Sequence, residues 1–400
     1  MQIPPRLAVV LTTISDGRFL ERFRPLFVAG GDRLSILIAG DRKTPPECAK
    51  IAGELAAEGF HIRYLGLEEQ AELALAAGLP LDFVPFDSDN RRNFAILEAW
   101  RLGADVLISL DDDNWPTDPD DFVARYSQVG TVQRLPTVRC VDRWPNLCAV
   151  LDIRSGWTDE PVSIFARGHP HARRDRKTVG LEIDHHEEAA ILAHVGLWTG
   201  HPDVDAATRS AVSPISCGAL VSGVVLAPPG ARAPMSTQNV AICRALVPAW
   251  WYVRMGAMHS SRPLERFGDM FQSYFASMVI EAIGGRFAFG APLVQHERNP
   301  HSLLRDLAGE TSGMALLENL LPYLESVPRG TTAIDAYRSI AEGLYDALPA
   351  GGGLLGDDAL RWADRTAASM VAWTQACRRL ASSTDDRIYM LKHVSGASEI

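Results

Sequence analysis

The chain has 400 residues, 47% of them hydrophobic and 22% charged, enough apolar surface for a sizeable core and too little charge for a disordered chain. Thirty-nine Lys and Arg face 49 Asp and Glu, a formal charge of -10, and an acidic chain without a basic block argues against sequence-independent nucleic-acid binding, which needs phosphate neutralisation. The longest apolar run, Gly218–Ala227, reaches about half of the ~20 residues a membrane helix needs, and Met1-Gln2-Ile3-Pro4-Pro5 carries no basic n-region; a soluble, cytoplasmic protein with no membrane partner is expected.

Leu7–Thr12 (LAVVLT) is a short β-branched run, the pattern of a strand covered on both faces. Asp16-Gly17 opens a helical stretch with Phe19, Leu20, Phe23 and Leu26 at helical spacing. Leu34–Ala39 is a second buried strand, Glu47–Glu58 an alanine-rich helix and His61–Leu65 a third strand. Asn90–Leu102 is amphipathic, and Val106–Leu110 is a strand running straight into Asp111-Asp112-Asp113. Strands alternating with helices imply a largely parallel sheet, whose ligands bind beyond the carboxyl ends of the strands. From Asn114 to Pro234 proline, glycine and short apolar runs predict loops and antiparallel strands, with a charged, histidine-rich stretch from Arg167 to Glu188. Leu264–Ile283 reads as a long helix and Arg286–Gly290 as a strand. About Ala308 to Leu380 reads as mostly helical, interrupted at Pro349-Ala350-Gly351-Gly352-Gly353, and the end Ser395–Ile400 as partly disordered. The six scattered cysteines have no C-x-x-C spacing and read as buried thiols.

The sharpest local feature is the buried strand that ends in three carboxylates. Like charges in a row call for compensation, and a hard divalent cation such as Mn²⁺ or Mg²⁺ supplies it while keeping positions open for substrate phosphates. In an extended segment Asp111 and Asp113 share a side and can serve one metal, with Asp112 pointing elsewhere to contact a ribose or support the pair. A solvated acidic turn is the alternative. Arg91, Arg92 and Asn93 open the amphipathic helix, where backbone N–H groups and side-chain charge suit phosphates. Asp41, after the second strand, is a candidate for the base or an ordinary turn residue; Thr12 and Thr13 are similarly placed.

Four ordered blocks then carry a family resemblance: Leu107–Asp113; Phe165-Ala166-Arg167-Gly168-His169-Pro170 with Arg174 beyond; Gly196-Leu197-Trp198 followed by His201-Pro202-Asp203-Val204-Asp205-Ala206; and Arg266-Phe267-Gly268-Asp269-Met270 with Pro292–His296 and Asn299-Pro300. Over roughly residues 5–310 the chain resembles the reversibly glycosylated polypeptides, the UDP-arabinopyranose mutases, and their bacterial relatives. The resemblance implies a GT-A-like α/β fold: a Rossmann-type nucleotide-binding half (1–115), a mixed sugar-binding half (116–310) and a helical C-terminal extension (311–400).

The implied activity is a flavin-independent isomerase that interconverts pyranose and furanose forms of a nucleoside diphosphate sugar, UDP- or GDP-linked, with Mn²⁺ or Mg²⁺. No G-x-G-x-x-G follows the first strand, as a flavin dinucleotide fold would require. The resemblance makes His296 a distal metal ligand beside Asp111 and Asp113, and makes Arg167 and Arg174 clamps on the departing diphosphate, with a covalent sugar adduct on Arg167 as a secondary reading. Asp269 becomes a group for the O4 proton or the sugar hydroxyls, or a helix cap. Trp198, Trp250 and Trp251 are candidates to stack on the ligand or to fill the core, and His185-His186 reads as a solvated loop. The rivals are a glycosyltransferase with an acceptor groove and a self-glycosylating carrier. A homo-oligomer is left open.

Overall fold

The computed structural model describes residues 3–140, 142–175, 180–256, 264, 266–298 and 302–381; the Asn299-Pro300 pair and the Ser395–Ile400 tail lie outside the described residues. The chain opens with β1 (Leu7–Thr12), α1 (Arg24–Gly30), β2 (Leu34–Ala39), α2 (Pro46–Ala57), β3 (Ile62–Leu65), α3 (Leu67–Ala77), α4 (Arg92–Arg101) and β4 (Val106–Leu110). There follow β5 (Asn114–Pro116), α5 (Pro119–Tyr126), β6 (Val132–Arg139), β7 (Leu151–Ser155), β8 (Glu182–Gly200), α6 (Ala206–Val212), β9 (Ile215–Leu220), β10 (Val225–Leu226) and β11 (Asn239–Cys243). The last elements are α7 (Gly268–Ala282), β12 (Arg286–His296), α8 (Leu303–Leu324), α9 (Ala333–Gly343) and α10 (Asp357–Leu380).

The apolar runs of the first half do what fully buried strands do. β3-β2-β1-β4 lie side by side, all parallel, and every residue of β4 is buried. Beyond β4 the sheet turns mixed. β11 runs antiparallel to β4, with Asn239 opposite Leu110, and antiparallel to β8; β12 runs parallel to β8 and antiparallel to β5. The α/β class and the mixed second half agree with the pattern of the sequence. One register places the site: His296, at the end of β12, pairs with Asn114, the residue after the acidic triplet. Two segments 180 residues apart in sequence are thereby joined at one sheet end.

Several elements depart from the sequence reading. From Glu182 on, the charged stretch is the outer arm of β8, paired with β6; the inner part of that strand, Ile191–Trp198, is buried. His185 and His186 are exposed on that arm, His185 between Asp184 and Glu187, so they are strand rather than loop. Polar alternation on a strand that leaves the core resembles loop composition, which explains the difference. Helix α3 has no counterpart in the reading, although Glu69 bonds the Gly66 N–H at its start and Gly78 ends it at positive φ. The third long helix starts at Gly268 rather than Leu264, and β12 runs on past Gly290 through a register shift to His296.

The division at residue 310 falls inside α8. The C-terminal helices pack on both halves: Trp100 Nε1 donates to the Cys377 carbonyl at 2.8 Å and Trp373 Nε1 to that of Val247 at 3.1 Å. Trp362 and Trp373 are fully buried, each removing roughly 4–6 kcal/mol worth of apolar surface from water. The six cysteines form no disulfide; five are buried and Cys140 half-buried. No helix among the described residues is long and apolar enough to cross a membrane.

Candidate active site

β4 delivers the triplet to a cavity of about 250 Å³. Alternation holds: Asp111 and Asp113 line the cavity and Asp112 does not. Asp111 accepts from Arg92, whose buried guanidinium also donates to Ser109 Oγ at 2.6 Å and the Thr237 carbonyl at 2.9 Å. Asp112 turns away and accepts from the Thr13 hydroxyl. Burial pushes its carboxyl up to about 6 against that hydrogen bond, and the charges of Asp111 and Asp113 push the same way.

Asp113 Oδ2 lies 3.7 Å from His296 Nε2. His296 Nδ1 sits 2.7 Å from the His201 carbonyl, so that nitrogen carries the proton and Nε2 is the one turned to Asp113. These two side chains fit a shared hard or borderline cation, whose bonds to protein are about 2.0–2.2 Å. Among the described residues no three His, Cys, Asp or Glu side chains form a ready-made cage, because Asp111 is taken by Arg92. The donor set therefore suits an ion that completes its shell with water and substrate phosphate, as Mg²⁺ does and Mn²⁺ can.

A second group in the cavity is built on Arg167. Gly168 follows it at φ +84°, a conformation in which glycine meets little steric cost, and the Gly168 carbonyl accepts from Tyr274 Oη at 2.6 Å. The Arg167 N–H donates to the Asp203 carbonyl at 2.9 Å. Its side chain is then shared: Nε to Asp203 at 3.0 Å, Nη2 to Asp269 at 2.6 Å, and Nη1 to the Arg266 carbonyl at 2.8 Å. Asp269 sits in the first turn of α7, where its Oδ1 also accepts from the Met270 N–H; the N-cap position is Phe267, with no side-chain cap, so Asp269 is a cavity residue and not the cap. Burial raises Asp269 above the usual carboxylate range, only partly offset by Arg167 and reinforced by Asp203. Burial would raise Asp203 too, but the charge and hydrogen bond of Arg167 outweigh it and hold that group low. Its Oδ2 is buried with no hydrogen-bond partner. Tyr252 closes this side, its hydroxyl donating to Asp89 at 2.8 Å.

Arg167, Arg92, Asp111, Asp113, Asp269 and His296 are thus brought into one cavity, and the other candidates lie elsewhere. Arg174 is bonded to Asp205 at 2.6 Å and to the His169 carbonyl, away from the cavity. Trp198 is 1% exposed, within the core with Trp250 and Trp251, so none of the three offers a stacking face. Arg91 is buried between Phe86 and Phe94 and donates to the Val84 carbonyl. Asn93 ties the Tyr252 backbone through both amide atoms and so orients Tyr252. Asp41 accepts from the Ser88 and Arg42 N–H groups, the turn role, and Thr12 donates to the Ala39 carbonyl. Asp203, Arg209, Tyr252, Arg298 and Glu310 line the cavity without having been singled out. Asp203 stood in the third block beside His201; the others carry no local motif and meet only in the folded chain.

The family model for reversibly glycosylated polypeptides matches residues 165–382, more than half of the chain, and the chain belongs to that family. The match begins at the second block, after the acidic triplet, and runs through the C-terminal helices, which the sequence reading placed outside the resemblance. UDP-arabinopyranose mutase 1 of Oryza sativa subsp. japonica is 25% identical over 55% of this chain and 55% of its own. The probable UDP-arabinopyranose mutase 1 of Solanum tuberosum is 25% identical over 82% of this chain and 80% of its own. The chain spans about half the length of the rice relative it matches. The crystal structure of M. tuberculosis glucosyl-3-phosphoglycerate synthase overlaps 82% of this chain and 83% of that one, at 11% identity and a TM-score of 0.37.

Proposed function

We propose that the protein is a flavin-independent mutase that interconverts pyranose and furanose forms of a nucleoside diphosphate sugar, with uridine as the base on the strength of the relatives' names. The observation that carries this reading is one cavity lined by the Asp113–His296 pair and by the Arg167–Asp203–Asp269 group. Ring contraction breaks the C1–diphosphate bond, exchanges the ring oxygen for O4 at C1, and re-forms the bond. Charge separation dominates that barrier, and preorganised charges answer it. A divalent ion on Asp113 and His296 would neutralise the diphosphate. No other chemistry is required of it.

The chain's own residues supply the rest. Arg167 between two carboxylates gives the group a net charge of about -1 when both are ionised, a poor receptor for phosphate. Its nitrogens all donate to acceptors, and their lone pairs are delocalised into the cation, which makes them poor nucleophiles toward C1. Its role in this reading is to fix Asp203 and Asp269 toward the sugar hydroxyls. The paired carboxylates have environments that push their affinities for protons apart, the arrangement that lets one accept a hydroxyl proton while the other supplies one. Asp203 is the acceptor and Asp269 the donor.

The test is product analysis. The purified protein with UDP-arabinopyranose and Mn²⁺, without acceptor, should form the furanose isomer, resolved by anion-exchange chromatography. Slow hydrolysis alone sinks the proposal. Transfer to an added acceptor points to a glycosyltransferase, and a stoichiometric pentose adduct in the intact mass points to a carrier.

A further inference from the structure

Among the described residues five arginines line the cavity, and four are committed to carboxylates. Arg92 holds Asp111, Arg167 holds Asp203 and Asp269, and Arg266 and Arg298 reach the two oxygens of Asp306 at 2.9 and 2.6 Å. Arg209, on α6, is different. Its side chain makes one hydrogen bond, from Nη2 to the Pro202 carbonyl at 2.9 Å, and its buried Nε has no partner. Among the described residues no carboxylate lies within ion-pair distance of it. Burial and the positive charge of Arg298 work against its own charge and outweigh Asp203, Glu310 and Asp306, which favour it from beyond ion-pair distance. A half-buried guanidinium beside another guanidinium is costly unless an anion faces it.

A second cavity of about 320 Å³ meets the first at Arg209 and Arg298 and reaches His201 and Ser213. His201 carries the carbonyl that holds His296 and feels the charges of His296, Arg209 and Arg298 together. Arg209 and the Asp113–His296 pair therefore belong to one neighbourhood.

We propose that Arg209, with Arg298 beside it, receives the diphosphate of the nucleotide sugar, holding it when the C1–O bond breaks and presenting it for return. This rests on the reading given under Proposed function, and it moves the phosphate-holding role away from Arg167 and Arg174. The planar fork matches two phosphate oxygens, which a lysine cannot copy.

Calorimetric titration of UDP and UMP in Mg²⁺ buffer, on the wild type, Arg209→Gln and Arg209→Lys, tests it, with thermal melts of each. Arg209→Gln should bind UDP about 10- to 100-fold more weakly and UMP within about threefold of wild type, and Arg209→Lys should fall between. If Arg209→Gln melts early, the Arg209→Lys protein carries the comparison, with about a tenfold loss for UDP expected. UDP affinity within about threefold of wild type in a variant that melts normally overturns the assignment, as does an equal loss for UMP. A wild type that binds none of UDP, GDP, CDP and dTDP instead overturns the nucleotide-sugar reading.

Discussion

The two carboxylates on Arg167 should respond oppositely to neutralisation. Both are buried and both bond the same guanidinium, yet the site disfavours ionised Asp269 and favours ionised Asp203 relative to the open chain. Asp203→Asn removes a charge-assisted bond from a carboxylate the fold stabilises, a loss of about 1.5–3 kcal/mol. Asp269→Asn forfeits a bond of the same kind, but it also removes a carboxylate that burial, Asp203 and Asp89 penalise. The two effects offset, and the net change should stay within about 1 kcal/mol of wild type. Turnover should collapse in both, because each variant loses a group aimed at the sugar. Urea unfolding at neutral pH, followed by the fluorescence of the nine tryptophans, gives the stability order, and furanose formation gives the rate. Asp269→Asn unfolding at lower urea than Asp203→Asn would refute the electrostatic argument. Wild-type turnover in Asp269→Asn would remove that group from the chemistry.

Other expectations follow from the same packing. Arg92→Met leaves Asp111 without its buried partner and should cost about 3–5 kcal/mol, while Arg92→Met with Asp111→Asn should recover part of it; additive losses in a double-mutant cycle would show that the pair is not coupled. A Cβ at Gly168 would lie 2.2 Å from Met270 Sδ, at φ +84°, so Gly168→Ala should lose about 1–3 kcal/mol in a thermal melt and a larger share of its turnover, since Met270 adjoins Asp269. His194 is buried with neither ring nitrogen bonded, and burial pushes it down to about 4. The unfolded chain takes up a proton near pH 6.5 that the native one refuses, so stability is full above that pH and falls by about 3 kcal/mol as pH drops to about 4. A His194→Gln variant should flatten that slope, and an unchanged slope would assign it to other groups.

The first half was legible because its strands are buried on both faces. A parallel strand under helices must be apolar along its whole length, so Leu7–Thr12, Leu34–Ala39 and Val106–Leu110 could be bounded to the residue. The second half follows a weaker rule. β8 lies outside the core for nearly half its length, up to Ala190, and β10 is two residues long, so neither presents a periodic apolar signal. The C-terminal helices were legible as helices, but their place was not. Trp100 meeting Cys377 is a contact across 277 positions, and helical periodicity carries no information about its partner.

The site divides along the same line. Residues tied to a strand end could be found: the triplet follows β4, and period-two alternation separates Asp111 and Asp113 from Asp112 without knowledge of any partner. What each arginine does could not be found, because an arginine's function is set by what already satisfies it. Arg167 and Arg174 looked like phosphate ligands in sequence, and both are matched to carboxylates in the fold. Arg209 stood in no motif and, among the described arginines of the cavity, is the one without a carboxylate at ion-pair distance. In a cavity lined by several charges of both signs, the group available to a substrate is the residue whose partner is missing. That is a property of the whole set of ion pairs, and no single stretch of sequence contains it.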